Sequence, residues 1–192
     1  MHRMGRPAWA VREEWWPQAL EVPLWFREVE LLVTPELPEV PGPLDVDPGE
    51  LPAPGAGADR TGWEEAWLAW WRTALLGAAA GTGAEAELPG PLGRAVAARV
   101  QEALRWQEGR KKAGMDVFLA GRGRELTVTR TVAELEEELG REARAFDAEL
   151  VMLPVLEDEV RRVGPAKWLV PERVRLGPDW PDVARRLLEP LV

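Results

Sequence analysis

Apolar positions along this chain fall into helical stripes and short runs, separated by proline, glycine and charge. At about 100° per residue, Trp63, Trp67, Trp70, Trp71, Ala74 and Leu75 share one sector and Glu65 and Arg72 lie opposite, which predicts a helix over 61–77. Thr61-Gly62-Trp63-Glu64 has the capping-box pattern that would start it, and Gly77 would end it. A second stripe of Val96, Val100, Ala103 and Leu104 predicts a helix from Pro91 or Arg94 to Lys112. A third, Val132, Leu135, Leu139, Ala143 and Phe146, follows the capping box Thr131-Val132-Ala133-Glu134. Val183, Leu187 and Leu188 predict a closing helix that begins at Asp179 or Trp180.

Other runs have strand character. Leu24 to Val33 is rich in β-formers, and the near-continuous apolar run Leu150-Val151-Met152-Leu153 suggests a buried strand. Asp116–Ala120 and Leu126–Arg130 flank Gly121-Arg122-Gly123-Arg124 and predict a hairpin. Val160–Val163 and Lys167–Val170 around Gly164-Pro165 predict another. This order of elements implies an α+β fold, a mostly antiparallel sheet packed with about four helices.

Seven prolines between residues 34 and 60 rule out helix or central strand there, because proline lacks an N–H and restricts the residue before it. Residues 1–60 therefore read as a Trp-rich arm with a Pro-rich connector, and residues 61–192 as the α+β domain.

Composition narrows the chemistry. The chain has no Ser, Cys, Tyr, Asn or Ile, and its one His is His2. Hydroxyl or thiol nucleophiles activated by imidazole are thereby excluded, as is a zinc site built from Cys and His. The Gly-x-Gly at 121–123 lacks the remainder of a dinucleotide or phosphate-loop pattern. No cofactor or metal is expected, and no catalytic residue stands out. Carboxylates remain: an Asp/Glu pair suffices for glycoside hydrolysis, so a carboxylate-based enzyme is one alternative. The missing Ile and Asn, and three Lys beside 21 Arg, are the usage of a GC-rich organism.

The net charge of −9 is unevenly spread, with a basic stretch over 94–130 between acidic flanks. Arg110, Lys111, Lys112, Arg122 and Arg124 are candidate anion-binding residues, although overall acidity disfavours nucleic acid. No apolar run approaches the ~20 residues of a membrane span, and the N-terminus is charged rather than signal-like, which predicts a cytoplasmic protein.

Eleven tryptophans dominate what is left. Trp9, Trp15, Trp16 and Trp25 lie in the arm, and Trp63, Trp67, Trp70 and Trp71 in the first predicted helix. Each buries about 150–250 Å² when covered, so either the arm folds back over that helix or these rings form a contact surface. The leading expectation is a non-catalytic interaction or assembly protein, an accessory subunit whose eight arm and helix tryptophans meet another protein or a second copy of the chain.

Overall fold

Chain order in the computed structural model, which describes residues 9–56, 59–78, 88–120 and 126–192, puts one strand first and the other three late. The elements are β1 (Ala10–Glu14), α1 (Gln18–Val29), α2 (Trp63–Ala78), α3 (Gly90–Ala120), α4 (Leu126–Leu139), β2 (Asp147–Leu153), β3 (Arg161–Gly164), β4 (Lys167–Pro171), α5 (Glu172–Leu176) and α6 (Trp180–Leu188), with a 3-10 turn at Pro48–Glu50. Among the described residues the fold is α+β, with six α-helices and a four-stranded mixed sheet in the order β1-β2-β4-β3.

The sheet is not mostly antiparallel as expected. β1 pairs parallel with β2 and β2 parallel with β4, and only β3 runs antiparallel to β4. Four helices separate β1 from β2, and a connection of that length lets a strand return in the same direction. The consequence is two covered faces. Val151, Leu153 and Leu169 pack with α1, α2 and α3 on one side; Leu150, Met152, Trp168 and Val170 pack with α4 and α6 on the other. This explains the unbroken apolar run of β2.

Two strand expectations are corrected. Residues 24–29 belong to α1, not to a strand. Leu20 to Arg27 are buried on every side of that helix, so no amphipathic stripe marked it, and Pro23 inside it argued against it. The expected hairpin at 116–130 is the last turn of α3 and the first of α4; its turn, Gly121–Arg124, lies outside the described residues. The β-branched run Thr127 to Val132 has weak helix propensity, but Val128, Val132 and Leu135 form a buried stripe that outweighs it. Gly140 ends α4 at φ +64°, with Arg141 N donating to Glu136 O at 3.2 Å in a left-handed cap. The helix α2, the buried strand β2, the β3–β4 hairpin and the closing helix α6 stand where the pattern placed them.

The arm is woven into this framework. β1 is an edge strand of the sheet, and α1 lies against α2 and α3. The Pro-rich connector is pinned as well: Arg27 donates to Pro41 O (2.7 Å) and Gly42 O (2.6 Å), Glu157 accepts from Gly42 N (3.0 Å), and Leu156 N donates to Pro43 O (2.8 Å).

Candidate interaction groove

In β1 successive side chains alternate between the two faces of the sheet. Register with β2 sets Val11 opposite Ala148 and Glu13 opposite Leu150, so the odd-numbered residues join the α4/α6 side. Trp9, Val11, Glu13 and Trp15 from β1 and its ends, with Phe118 of α3 and Val128 and Thr129 of α4, line a groove of about 250 Å³. Trp9 stacks on Phe146 at 5.9 Å, while Trp15 and Trp16 both meet Phe118 edge-on at 5.4 and 5.5 Å. All three tryptophans are only partly buried.

Trp16 is held in an unusual way. Its φ of +55° is in the left-handed region, rare for a bulky side chain. Gln107 Nε2 donates to its carbonyl at 3.0 Å, and its ring sits against Gly114, where a Cβ would come within 3.2 Å of ring carbon Cζ2. The turn from β1 into α1 is thus fixed by α3. One charged group breaks the lining: Glu13 accepts two bonds from Arg175 (2.9 and 3.1 Å) and one from Trp15 Nε1 (3.3 Å). The Arg175 guanidinium in turn lies 5.0 Å from the Trp180 ring centroid and 6.0 Å from that of Trp15.

Five of the eight tryptophans expected at a contact surface are in the core instead. Trp25, Trp63, Trp67, Trp70 and Trp71 are each at most 3% exposed. Trp67 and Trp71 stack at 5.8 Å and donate to Pro23 O and Glu39 O, both at 2.7 Å. Folding of the arm over α2 is what buries them, and it leaves Trp9 and Trp15 for the groove, with Trp16 packed against Phe118.

The basic candidates do not converge. Arg110 points inward and bonds Glu21 (3.2 Å) and Glu172 (2.8 Å) through one nitrogen. Lys111 and Lys112 are exposed midway along α3, not at its end, and Arg122 and Arg124 lie outside the described residues. Burial pushes the Glu21 carboxyl up to about 7 against the pull of Arg110, and Glu172 adds to the rise. Burial likewise raises Glu172, against the same guanidinium. Two carboxylates with raised pKa values are the signature sought for acid–base work. Glu21 is nevertheless fully enclosed, and neither carboxylate lines the groove or the larger cavity beside the connector.

That larger cavity, about 680 Å³, is walled by residues 34–38 and 40–43 with Arg27, Glu28, Glu159 and Arg161. Its two guanidiniums are already taken, Arg27 by Glu28 and Arg161 by Glu157 and Glu159. A third ionic group joins the strands: Lys167 is 3.2 Å from Glu149, and burial and the Glu149 charge raise the Glu14 carboxyl while Lys167 opposes them. Among the described residues no three His, Cys, Asp or Glu side chains are placed to hold a metal, and no helix is long and apolar enough to cross a membrane. Comparison with protein-family models, with curated proteins and with solved structures gives no match.

Proposed function

We propose that this protein is a non-catalytic interaction or assembly subunit that receives its partner in the groove along β1. The observation that carries this reading is the partly exposed aromatic set Trp9, Trp15 and Phe118 beside a sheet edge. Large rings bordering an open concavity are what binding hot spots use, since a partner group that fills the space desolvates several of them at once. Extended segments dock well at such a place, because a sheet edge supplies main-chain hydrogen bonds and the groove supplies side-chain selectivity. Glu21 and Glu172, the two carboxylates with raised pKa values gathered around Arg110, line neither the groove nor the larger cavity, which is why the interaction reading stands above the glycoside-hydrolase alternative.

A photo-crosslinking amino acid placed at Thr129, on the exposed lip of the groove, tests this in full-length protein expressed in cells. The control carries the same group at Leu156, exposed but remote. A discrete adduct at Thr129 that is absent at Leu156, and that weakens when Trp15 is changed to Ala, is the expected result. Equal or absent crosslinking at the two positions refutes the groove as a docking surface.

A further inference from the structure

We infer that the groove's partner is a second copy of this chain, with the two β1 strands pairing antiparallel about a two-fold axis at Glu13. This rests on reading the groove as a docking surface, and it adds the occupant and the register.

The backbone gives the first argument. Ala10 N donates to Phe146 O at 2.9 Å, so Ala10, Arg12 and Glu14 turn their peptide groups toward β2. In a parallel ladder alternate residues face alternate sides, which directs the N–H and C=O of Val11 and Glu13 outward. No hydrogen bond from the described residues meets them.

The second argument is charge. Exposed edges are commonly guarded by charged side chains, and Arg12, Glu13 and Glu14 would repel a casual apolar strand. The same residues complement an identical strand. A two-fold pairing that continues both faces of the sheet must oppose residues of the same parity, so the axis passes through a residue, and only an axis at Val11, Arg12 or Glu13 pairs more than one residue of β1 with its copy. An axis at Arg12 sets Arg12 against its own copy. An axis at Val11 leaves Glu14 without a partner. An axis at Glu13 sets Arg12 opposite Glu14 of the second copy, twice, and Val11 opposite Trp15 of the second copy, twice. In that register the outward peptide groups of Val11 and Glu13 are used and the aromatic groove gains apolar cover.

The local chemistry accepts this arrangement. Arg12 is well exposed, held only by the surface partner Asp147 at 3.0 Å. Burial and the charge of Glu149, which stands diagonal to it and opposite Arg12, raise the Glu14 carboxyl, and a second cation would add to the relief that Lys167 gives. Glu13, on the axis, is already neutralised by the two bonds from Arg175. An interface that uses the same patch twice is the self-complementary kind that closes a dimer.

The test measures mass against concentration by sedimentation for the full chain, for Arg12→Glu, for Glu14→Arg and for the double variant. Wild type is expected to be a dimer. Each single reversal turns two cross-strand attractions into repulsions and raises the dimer Kd about tenfold, and the double reversal restores it. Amide exchange at Val11 and Glu13 should slow as dimer forms. A wild-type chain that stays monomeric, or a dimer indifferent to the single reversals or not rescued by the double, overturns the inference. A monomer whose Thr129 probe captures a different protein also overturns it, while leaving the docking reading intact; a monomer with no adduct removes both.

Discussion

Glu21 and Arg110 meet inside the protein at 3.2 Å, tying α1 to α3, and the same guanidinium nitrogen reaches Glu172 on α5. One cation thus faces two carboxylates, and Glu21 Oε2 and Arg110 Nε have no hydrogen-bond partner among the described residues. Gln107 of α3 also bears on Glu21, and Asp45 bears on Glu172. Burial is the main reason that Glu21 holds its proton to about 7 rather than its ordinary 4.5; Arg110 opposes the rise and the Glu172 charge adds to it.

Stability should therefore fall as pH rises across that interval. The folded state binds the Glu21 proton more tightly than the unfolded chain, so the contribution is whole below the unfolded value and is lost by the folded one. A shift of this size corresponds to on the order of 3 kcal/mol. Glu21→Gln cannot ionise and should flatten the slope between about pH 5 and pH 8, being more stable than wild type at the upper end. Urea unfolding of both proteins across the range checks it. Parallel pH profiles would show that Glu21 does not titrate there.

A second carboxylate illustrates how burial ranks ion pairs. Glu30 is 1% exposed and accepts from Gly55 N (3.1 Å), Arg60 Nη2 (2.8 Å) and Arg99 Nη1 (2.6 Å), joining the end of α1 to the connector and to α3. Glu30→Ala removes the buried carboxylate that Arg60 and Arg99 share and leaves the Gly55 amide without its acceptor, and should cost about 3 kcal/mol. Asp147→Ala, which breaks only the exposed pair with Arg12, should cost under about 0.5 kcal/mol in the monomer. Denaturant midpoints of the two variants, compared under dilute conditions, decide the ranking.

Legibility in the sequence followed periodicity. α2 and α6 were readable because each buries one stripe, and β2 because a strand covered on both faces is apolar throughout. α1 was not, since a helix enclosed on all sides carries no stripe and its Trp25, Phe26 and Val29 favour strands. The groove was half legible. Tryptophan abundance pointed to aromatic contact area, but only the packing of α1 on α2, which encloses Trp25 and Trp67, separates them from Trp9 and Trp15 at the open edge beside β1. β1 itself, Ala10-Val11-Arg12-Glu13-Glu14, has too much charge to read as a strand. The Glu21–Arg110–Glu172 cluster joins residues up to 151 positions apart and left no local signal.

Arg175 offers a test of geometry against charge. It is 3% exposed, grips Glu13 through two nitrogens and lies against the faces of Trp180 and Trp15. Lysine keeps the charge but neither the planar fork nor the stacking. Arg175→Lys should lose about 2 kcal/mol of stability and loosen the floor of the groove. Thermal unfolding reads the first effect, and weaker crosslinking from the Thr129 probe reads the second. A lysine variant as stable as wild type would mean that the position needs only a cation.

The connector yields the last prediction. Its prolines by themselves would make an extended, solvated segment open to proteases. Here the Arg27 guanidinium, 5% exposed, donates to Pro41 O and Gly42 O and also binds Glu28, so the loop over 34–43 is clamped to α1 from below. Trp71 Nε1 holds Glu39 O from the side, and Arg72 holds the Glu39 carboxylate at 2.8 Å, which keeps that carboxyl below its ordinary range. Arg27→Met retains the buried stem and removes the clamp, leaving two carbonyls to find water. A glutamate-specific protease should then cut after Glu36 and Glu39 many times faster in the variant than in wild type, before the rest of the chain is attacked. Cleavage at the same rate in both would place the rigidity in the prolines themselves and not in the arginine beneath them.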